Sequence, residues 1–311
     1  MPRTSRLLVA PALAAASALA LAGCAATAAD DDAEFTIVAS TSVYGQIAAE
    51  IGGDAVEVDT IITSAAHDPH EYEATVGDQL TVQKADLIVE NGGGYDAFMD
   101  ALVEASGSTA PVIVASEYSA SWPGAEDHSA DDDHDHVSGF NEHVWYDPRT
   151  MAGVAQAIAD RLSAALPGDA SAFEANAQAF ADGVADLESD LAAIGDAHAG
   201  ERAFATEPVP GYLLAAAGIV DATPTAFSEA VEEGRDVPPA TLLHARDAVR
   251  SGEVRVVIVN AQTGGAETTA IIDAADEAGI PVLEFSETLP DGQTYVSWMQ
   301  QNIADLAGAL G

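Results

Sequence analysis

From Pro148 to Ala197 the chain reads as helix with a single break. Asp147 stands where it can cap a first helix, with Pro148 in the opening turn, and this helix runs to about Leu166. Pro167-Gly168 interrupts it, and Asp169 stands as a cap for a second helix that extends to about Ala197. Within that second helix Phe173, Ala177, Phe180, Val184, Leu187, Leu191 and Ile194 keep three- and four-residue spacing, which gives one apolar stripe. About 28 helical residues span roughly 40 Å. A helix of that length bridges two bodies, and the rest of the chain has to be arranged on either side of it.

On both sides the sequence alternates short β-rich runs with helical stretches. Before it come the strands Phe35 to Ala39, Val56 to Ile62, Asp86 to Glu90 and Val112 to Val114. Between them lie the helices Val43 to Ile51, Val76 to Lys84 and Tyr95 to Ser106. After it come the strands Arg202 to Thr206, Arg255 to Val259 and Val282 to Phe285. The helices there are Val209 to Ala217, Pro238 to Arg250, Glu267 to Ala278 and Thr294 to Leu310. Strands separated by helices of about ten residues imply parallel βαβ units. The expected fold class is therefore α/β, with two lobes, residues 35–147 and 200–311, each a parallel sheet flanked by helices. The helical segment 148–199 joins them. Ligands of open α/β sheets bind outside the carboxyl ends of the strands, which places a site in the cleft between the lobes.

The first 34 residues read differently. Arg3 and Arg6 precede an apolar, alanine-rich run from Leu7 to Leu21, too short for a comfortable membrane span. Residues 1–23 are expected to be a lipoprotein signal peptide. Leu21-Ala22-Gly23-Cys24 resembles the bacterial lipobox, in which Cys24 takes the lipid, and residues 24–34 read as a flexible tether. Cys24 is the one cysteine of the chain, so neither an intramolecular disulfide nor a cysteine-based zinc site is possible. With 51 acidic against 10 basic residues the formal charge is −41, which argues against a nucleic-acid partner. Most of those carboxylates read as a solvated surface.

The chemistry concentrates in histidines. Six of the eight fall in three places after N-lobe strands: His67 and His70; His128, His134 and His136; and His143. His198 and His244 sit on charged helical stretches and read as surface residues. His67-Asp68-Pro69-His70-Glu71-Tyr72-Glu73 follows the second strand, and its proline stiffens the loop around His70. The same segment also reads as a capping loop ahead of the next helix. His143-Val144-Trp145-Tyr146-Asp147-Pro148 offers an imidazole, an aromatic pair to pack it, and a helix start. Two histidines do not complete a zinc or manganese site, which needs four or more donors. Glu207 and Glu287 each follow a C-lobe strand and face the same cleft, though Glu207 also reads as a helix cap and Glu287 as a solvated loop residue.

These motifs together resemble the cluster A-I solute-binding proteins of metal ABC transporters, the ZnuA/TroA-like family, over essentially all of residues 35–311. The residues that carry the resemblance are Asp68 to Glu73, Glu90-Asn91-Gly92-Gly93-Gly94-Tyr95, His143 to Pro148, and Phe285-Ser286-Glu287-Thr288 with Tyr295 and Met299. The resemblance implies two α/β lobes around a long rigid linking helix, with metal bound between them. It implies His70 and His143 as N-lobe ligands and Glu287 as the C-terminal acidic ligand, a position usually held by aspartate. The family's remaining ligand is often a histidine after the first C-lobe strand. This chain has Glu207 there, and two imidazoles with two carboxylates suit manganese as well as zinc. The segment 117–142, with Asp127 to His136 at its centre, resembles the His/Asp-rich loop of zinc-specific members. His128, His134 and His136 would form an accessory metal loop feeding the cleft, while Tyr44 and the Asn91 to Gly94 turn shape it.

The expected protein is a monomeric, lipid-anchored receptor on the outer face of the cell membrane. It captures Zn2+, with Mn2+ or iron the alternative, and delivers it to an ABC permease driven by a separate ATPase subunit. No Walker-type loop ending in Lys-Ser or Lys-Thr is present to carry ATP chemistry in this chain. Two other readings stay open on sequence alone. One is an extracellular metallohydrolase, for which no His-Glu-x-x-His helix is present. The other is an added role as a surface adhesin.

Overall fold

The computed structural model describes residues 35–64, 69–70, 72–124, 137 and 139–311. The signal peptide, the tether and Cys24 lie outside the described residues, as do His67, His128, His134 and His136.

Two four-stranded sheets form the frame, each wholly parallel. The first is built from β1 (Phe35–Thr41), β2 (Val56–Ile62), β3 (Leu87–Glu90) and β4 (Val112–Val114) in the order β2-β1-β3-β4. The second is built from β5 (Arg202–Ala205), β6 (Val220–Asp221), β7 (Val254–Asn260) and β8 (Val282–Phe285) in the order β6-β5-β7-β8. The connecting helices are α1 (Ser42–Gly52), α2 (Val76–Val82) and α3 (Ala97–Ser106) in the first half. In the second half they are α6 (Gly211–Ala216), α7 (Thr225–Glu232), α8 (Pro239–Arg250), α9 (Ala266–Ala278) and α10 (Tyr295–Leu310). Between the halves stand α4 (Pro148–Ala165) and α5 (Ala170–His198).

The long segment folds for the reasons its sequence suggests. Asp147 caps α4: its carboxylate accepts from the Arg149 amide at 3.2 Å and from the Thr150 hydroxyl at 2.6 Å, with Pro148 in the first turn. All seven residues of the α5 stripe are buried. Asp169, in contrast, makes no side-chain cap bond, so α5 is held by its buried face rather than by its N-terminus. β6 and α7 fall in a stretch whose spacing predicts no element. β6 has only two residues, both exposed, and α7 buries only Phe227 and Ala230, so neither carries enough apolar periodicity to be read.

One apolar core runs through both halves. It joins Ile37 and Tyr44 of the first half, Met151 and Phe180 of the linking helices, and Leu213 and Met299 of the second. Smaller clusters cover the outer faces of the two sheets, around Val38 and Met99 and around Phe204 and Phe227. Burial on both faces is what all-parallel sheets require. In each sheet the strand order reverses between two central strands, β1 and β3 or β5 and β7, and the crevices at their carboxyl ends are where ligands of such sheets sit.

At the end of β3 the chain turns through Gly92, Gly93 and Gly94, all at positive φ. A Cβ on Gly92 would stand 2.3 Å from Val114 Cγ1. The buried Asp96 carboxylate accepts from the amides of Asn91 at 2.7 Å and Gly92 at 2.8 Å and so closes the turn. Beside it, burial and then the charges of Asp96, Asp100 and Glu117 raise the Glu90 carboxyl to about 9. An acid whose folded pKa is raised holds its proton more tightly folded than unfolded, so stability falls as pH rises from about 4.5 towards about 9. Glu90→Gln, neutral at every pH, is expected to raise the melting temperature at pH 8 and to leave it nearly unchanged at pH 4.5. One pKa unit corresponds to about 1.4 kcal/mol. Melting curves that stay parallel at both pH values would contradict this.

Candidate metal centre

His70 sits in a turn after β2 and is only slightly exposed. Its ring meets Tyr95 edge-on, with centroids 4.9 Å apart. His143 is wholly buried at the entrance to a single helical turn, Val144–Tyr146, ahead of α4. Trp145 packs edge-on against it at 5.1 Å, and the two imidazole centroids are 6.0 Å apart.

The orientation of His143 can be derived from its neighbours. The Asn141 amide nitrogen donates to the Pro208 carbonyl at 2.9 Å, and a carbonyl can only accept. The Asn141 carboxamide oxygen therefore faces His143, where it accepts from the backbone amide at 3.0 Å and meets ring Nδ1 at 2.8 Å. An amide oxygen has no proton to give, so Nδ1 carries the hydrogen and Nε2 keeps its lone pair. A ligating histidine needs this arrangement, with one nitrogen tied down and the other directed at the metal. Asn141 is itself fitted closely. Tyr212 donates to its backbone carbonyl at 2.6 Å, and a Cβ on Gly211 would stand 2.7 Å from its amide nitrogen.

Glu287 follows β8 and is 1 % exposed. Gln262 holds its backbone, accepting from the amides of Glu287 at 2.6 Å and Thr288 at 2.9 Å. One carboxylate oxygen accepts from Asn260, the last residue of β7, at 2.6 Å, and the other lies 4.0 Å from His70 Nε2. The phenol of Tyr95 is pushed up first by burial and then by the charge of the nearby Glu287. One donor atom each from His70, His143 and Glu287 lie within 4.8 Å of one another.

Glu207 follows β5 and is also buried. Its two oxygens accept from Asn260 at 2.8 Å and from the Thr263 hydroxyl. Asn260 thus bridges Glu207 and Glu287, and among the described residues Glu207 is not in the 4.8 Å donor group. Tyr44 donates to Asn91, and Asn91 donates to the Glu142 carbonyl at 2.9 Å, so this pair supports the segment that carries His143. His244 is exposed, whereas His198 is partly buried beside Glu201 at 3.6 Å.

Two residues enter the site that the sequence reading missed. Glu142 and Glu232 form a second donor group with His70, again within 4.8 Å. Glu142 immediately precedes His143 and was within reach of sequence reasoning. Glu232 ends α7, whose eight residues bury only Phe227 and Ala230 and so carry too little apolar spacing to be read as a helix. Glu232 Oε1 lies 3.8 Å from His143 Nε2. Burial and then the charges of Glu142, Glu207 and Glu287 raise its carboxyl to about 9. Carboxylates and imidazoles crowded out of water in this way favour a dication among them. His70, Glu232, Gln262 and Thr263 also line a cavity of about 490 Å3 that opens beside the group.

Asn141→Ala removes the lock on the His143 tautomer while leaving every candidate donor in place. Metal affinity is expected to fall about 10- to 100-fold, the usual cost of losing an outer-shell partner, in competition titrations. Affinity within twofold of wild type would show that the lock does not matter.

Comparison with known proteins identifies the family and the fold. The family described as "Zinc-uptake complex component A periplasmic" matches residues 37–309. A zinc-binding lipoprotein, AdcA of Streptococcus pneumoniae, is 25 % identical over 287 residues, 88 % of this chain and 56 % of the relative. A manganese-binding lipoprotein, MntA of Halalkalibacterium halodurans, is 31 % identical over 174 residues, 55 % of this chain and 54 % of the relative. The chain spans about half the length of these relatives. The structure of the periplasmic zinc-binding protein TroA from Treponema pallidum superimposes with a TM-score of 0.72 at 20 % identity. It covers 89 % of this chain and 99 % of its own, which shows the same fold.

Proposed function

Since the chain belongs to the family of the periplasmic zinc-uptake component ZnuA, we propose that it is an extracytoplasmic solute-binding protein that captures a divalent transition metal in the crevice between its two sheets. It delivers that metal to the permease of an ABC transporter whose ATPase is a separate subunit. The observation that carries this reading is the convergence of His70, His143 and Glu287, from loops far apart in sequence, on one enclosed point. In this reading 35–147 and 200–311 act as the two lobes and 148–199 as their link, and Glu207, which Asn260 ties to Glu287, is the fourth donor. Cys24 carries the lipid that holds a monomer to the outer face of the membrane. Among the described residues, no helix is long and apolar enough to cross a membrane.

Zinc is the first choice of cargo. The donor set of two imidazoles with carboxylates accepts zinc and also manganese or iron. Relatives named for zinc and for manganese both resemble this chain. The core that runs through both halves, with cross-bonds from Tyr295 to the Trp145 carbonyl at 2.8 Å and from Tyr146 to the Ser286 carbonyl at 2.7 Å, favours loop rearrangement over a wide hinge on release.

Elemental analysis of the purified protein, followed by titration with zinc and manganese in competition, tests the proposal. One equivalent of tightly held metal is expected, lost in His143→Ala. Only neutral imidazole ligates, so affinity should fall as pH drops below about 6.5, the ordinary histidine pKa, by up to about 100-fold per unit for two histidines. Metal-free protein with no zinc or manganese affinity, or an affinity indifferent to pH between 7 and 5, would overturn it.

A further inference from the structure

The metal site proposed above draws its donors from loops after strands. Glu232 comes from somewhere else: the last turn of α7, on the rim of the cavity beside His70. Three observations set it apart from the solvated acids of the surface.

First, its Oε1 lies 3.8 Å from His143 Nε2. The Asn141 contacts leave Nε2 with a lone pair rather than a proton, so two electron-pair donors face each other. Two donors bound to one metal at about 2.1 Å stand about 3 to 3.5 Å apart, so a small movement brings both onto one ion. Second, Oε1 of Glu232 is buried and accepts no hydrogen bond among the described residues. Third, the one place where the His70, Glu142 and Glu232 donors come within 4.8 Å of one another adjoins the His70, His143 and Glu287 group, with His70 common to both. Glu207 offers a contrast, since Asn260 and Thr263 already engage both of its oxygens.

We propose that Glu232 is a direct metal ligand, a carboxylate supplied by α7 beyond the donors that follow the strands. With His70, His143 and Glu287 it gives an imidazole pair and two carboxylates without requiring Glu207 to release its hydrogen bonds. When Glu207 also turns in, the site holds five donors. A set of three carboxylates and two imidazoles is oxygen-rich and exceeds the four positions of a structural zinc site. Glu232 is thus the residue that adapts the site to manganese as well as zinc.

Glu232→Gln tests this in the whole protein, with Glu233→Gln as the control. Glu233 is the next residue and pairs with Arg235, and its substitution makes the same change of carboxyl to amide. Manganese and zinc affinities are measured by competition, and the ligand field is read from the d–d absorption of the cobalt(II)-loaded protein. The expected result is that Glu232→Gln loses at least about tenfold in manganese affinity, loses less for zinc, and shows a cobalt spectrum shifted toward lower coordination. Glu233→Gln should match wild type in all three. Equal losses in both variants, or an unchanged cobalt spectrum in Glu232→Gln, would overturn the assignment while leaving the metal-binding reading intact. Wild-type protein that binds none of the three metals would overturn both. If Gln is not tolerated at 232, Glu232→Asp, which draws the carboxylate back by one methylene, is read by the same spectrum.

Discussion

The site depends on one hydrogen-bonded side chain, the carboxamide of Asn141. Its nitrogen is committed to the Pro208 carbonyl of the second half and its oxygen to His143 of the first. That single group fixes a tautomer, a ring orientation and the approach of two halves of the crevice together. Its room is made by Gly211, where any side chain would collide with it. A buried imidazole could otherwise flip or take the other tautomer, and Nε2 would then present a proton where a lone pair is needed. The C-lobe side is built in a similar way, with Asn260 bridging Glu207 and Glu287 and Gln262 holding the backbone at Glu287. The ligand candidates are thus preorganised by amide side chains, which are neutral and add no charge to an already crowded set of carboxylates.

The frame explains why such a site can form between two sheets. Every strand is parallel to its neighbours, so all the functional loops leave at carboxyl ends. The helices α4 and α5 and the terminal α10 share one core with both sheets. This fixes the separation of the two loop sets.

Much of this was legible in the sequence because the signals were local. The α5 stripe from Phe173 to Ile194 predicted its buried face residue by residue, and the runs at Val56 to Ile62, Val112 to Val114 and Val282 to Phe285 are strands with those bounds. His70 and His143 stood out through their proline and aromatic neighbours. What stayed hidden was set by tertiary contact. Asn141 looks like an ordinary loop asparagine until Pro208 is placed beside it. Glu207 reads as a donor from its position after β5 together with the family resemblance, but nothing local shows that Asn260 and Thr263 engage it. Glu232 was missed because α7 has eight residues and only two buried side chains, so its amphipathic pattern is too short to register.

Histidine nitrogen and carboxylate oxygen, with no sulfur, are the atoms proposed to hold the metal. X-ray absorption of the zinc-loaded protein tests this directly. Nitrogen or oxygen neighbours at about 2.0 to 2.1 Å are expected, with the scattering pattern of two imidazole rings that drops to one in His143→Ala. A spectrum without imidazole scattering, or one unchanged by His143→Ala, would contradict it.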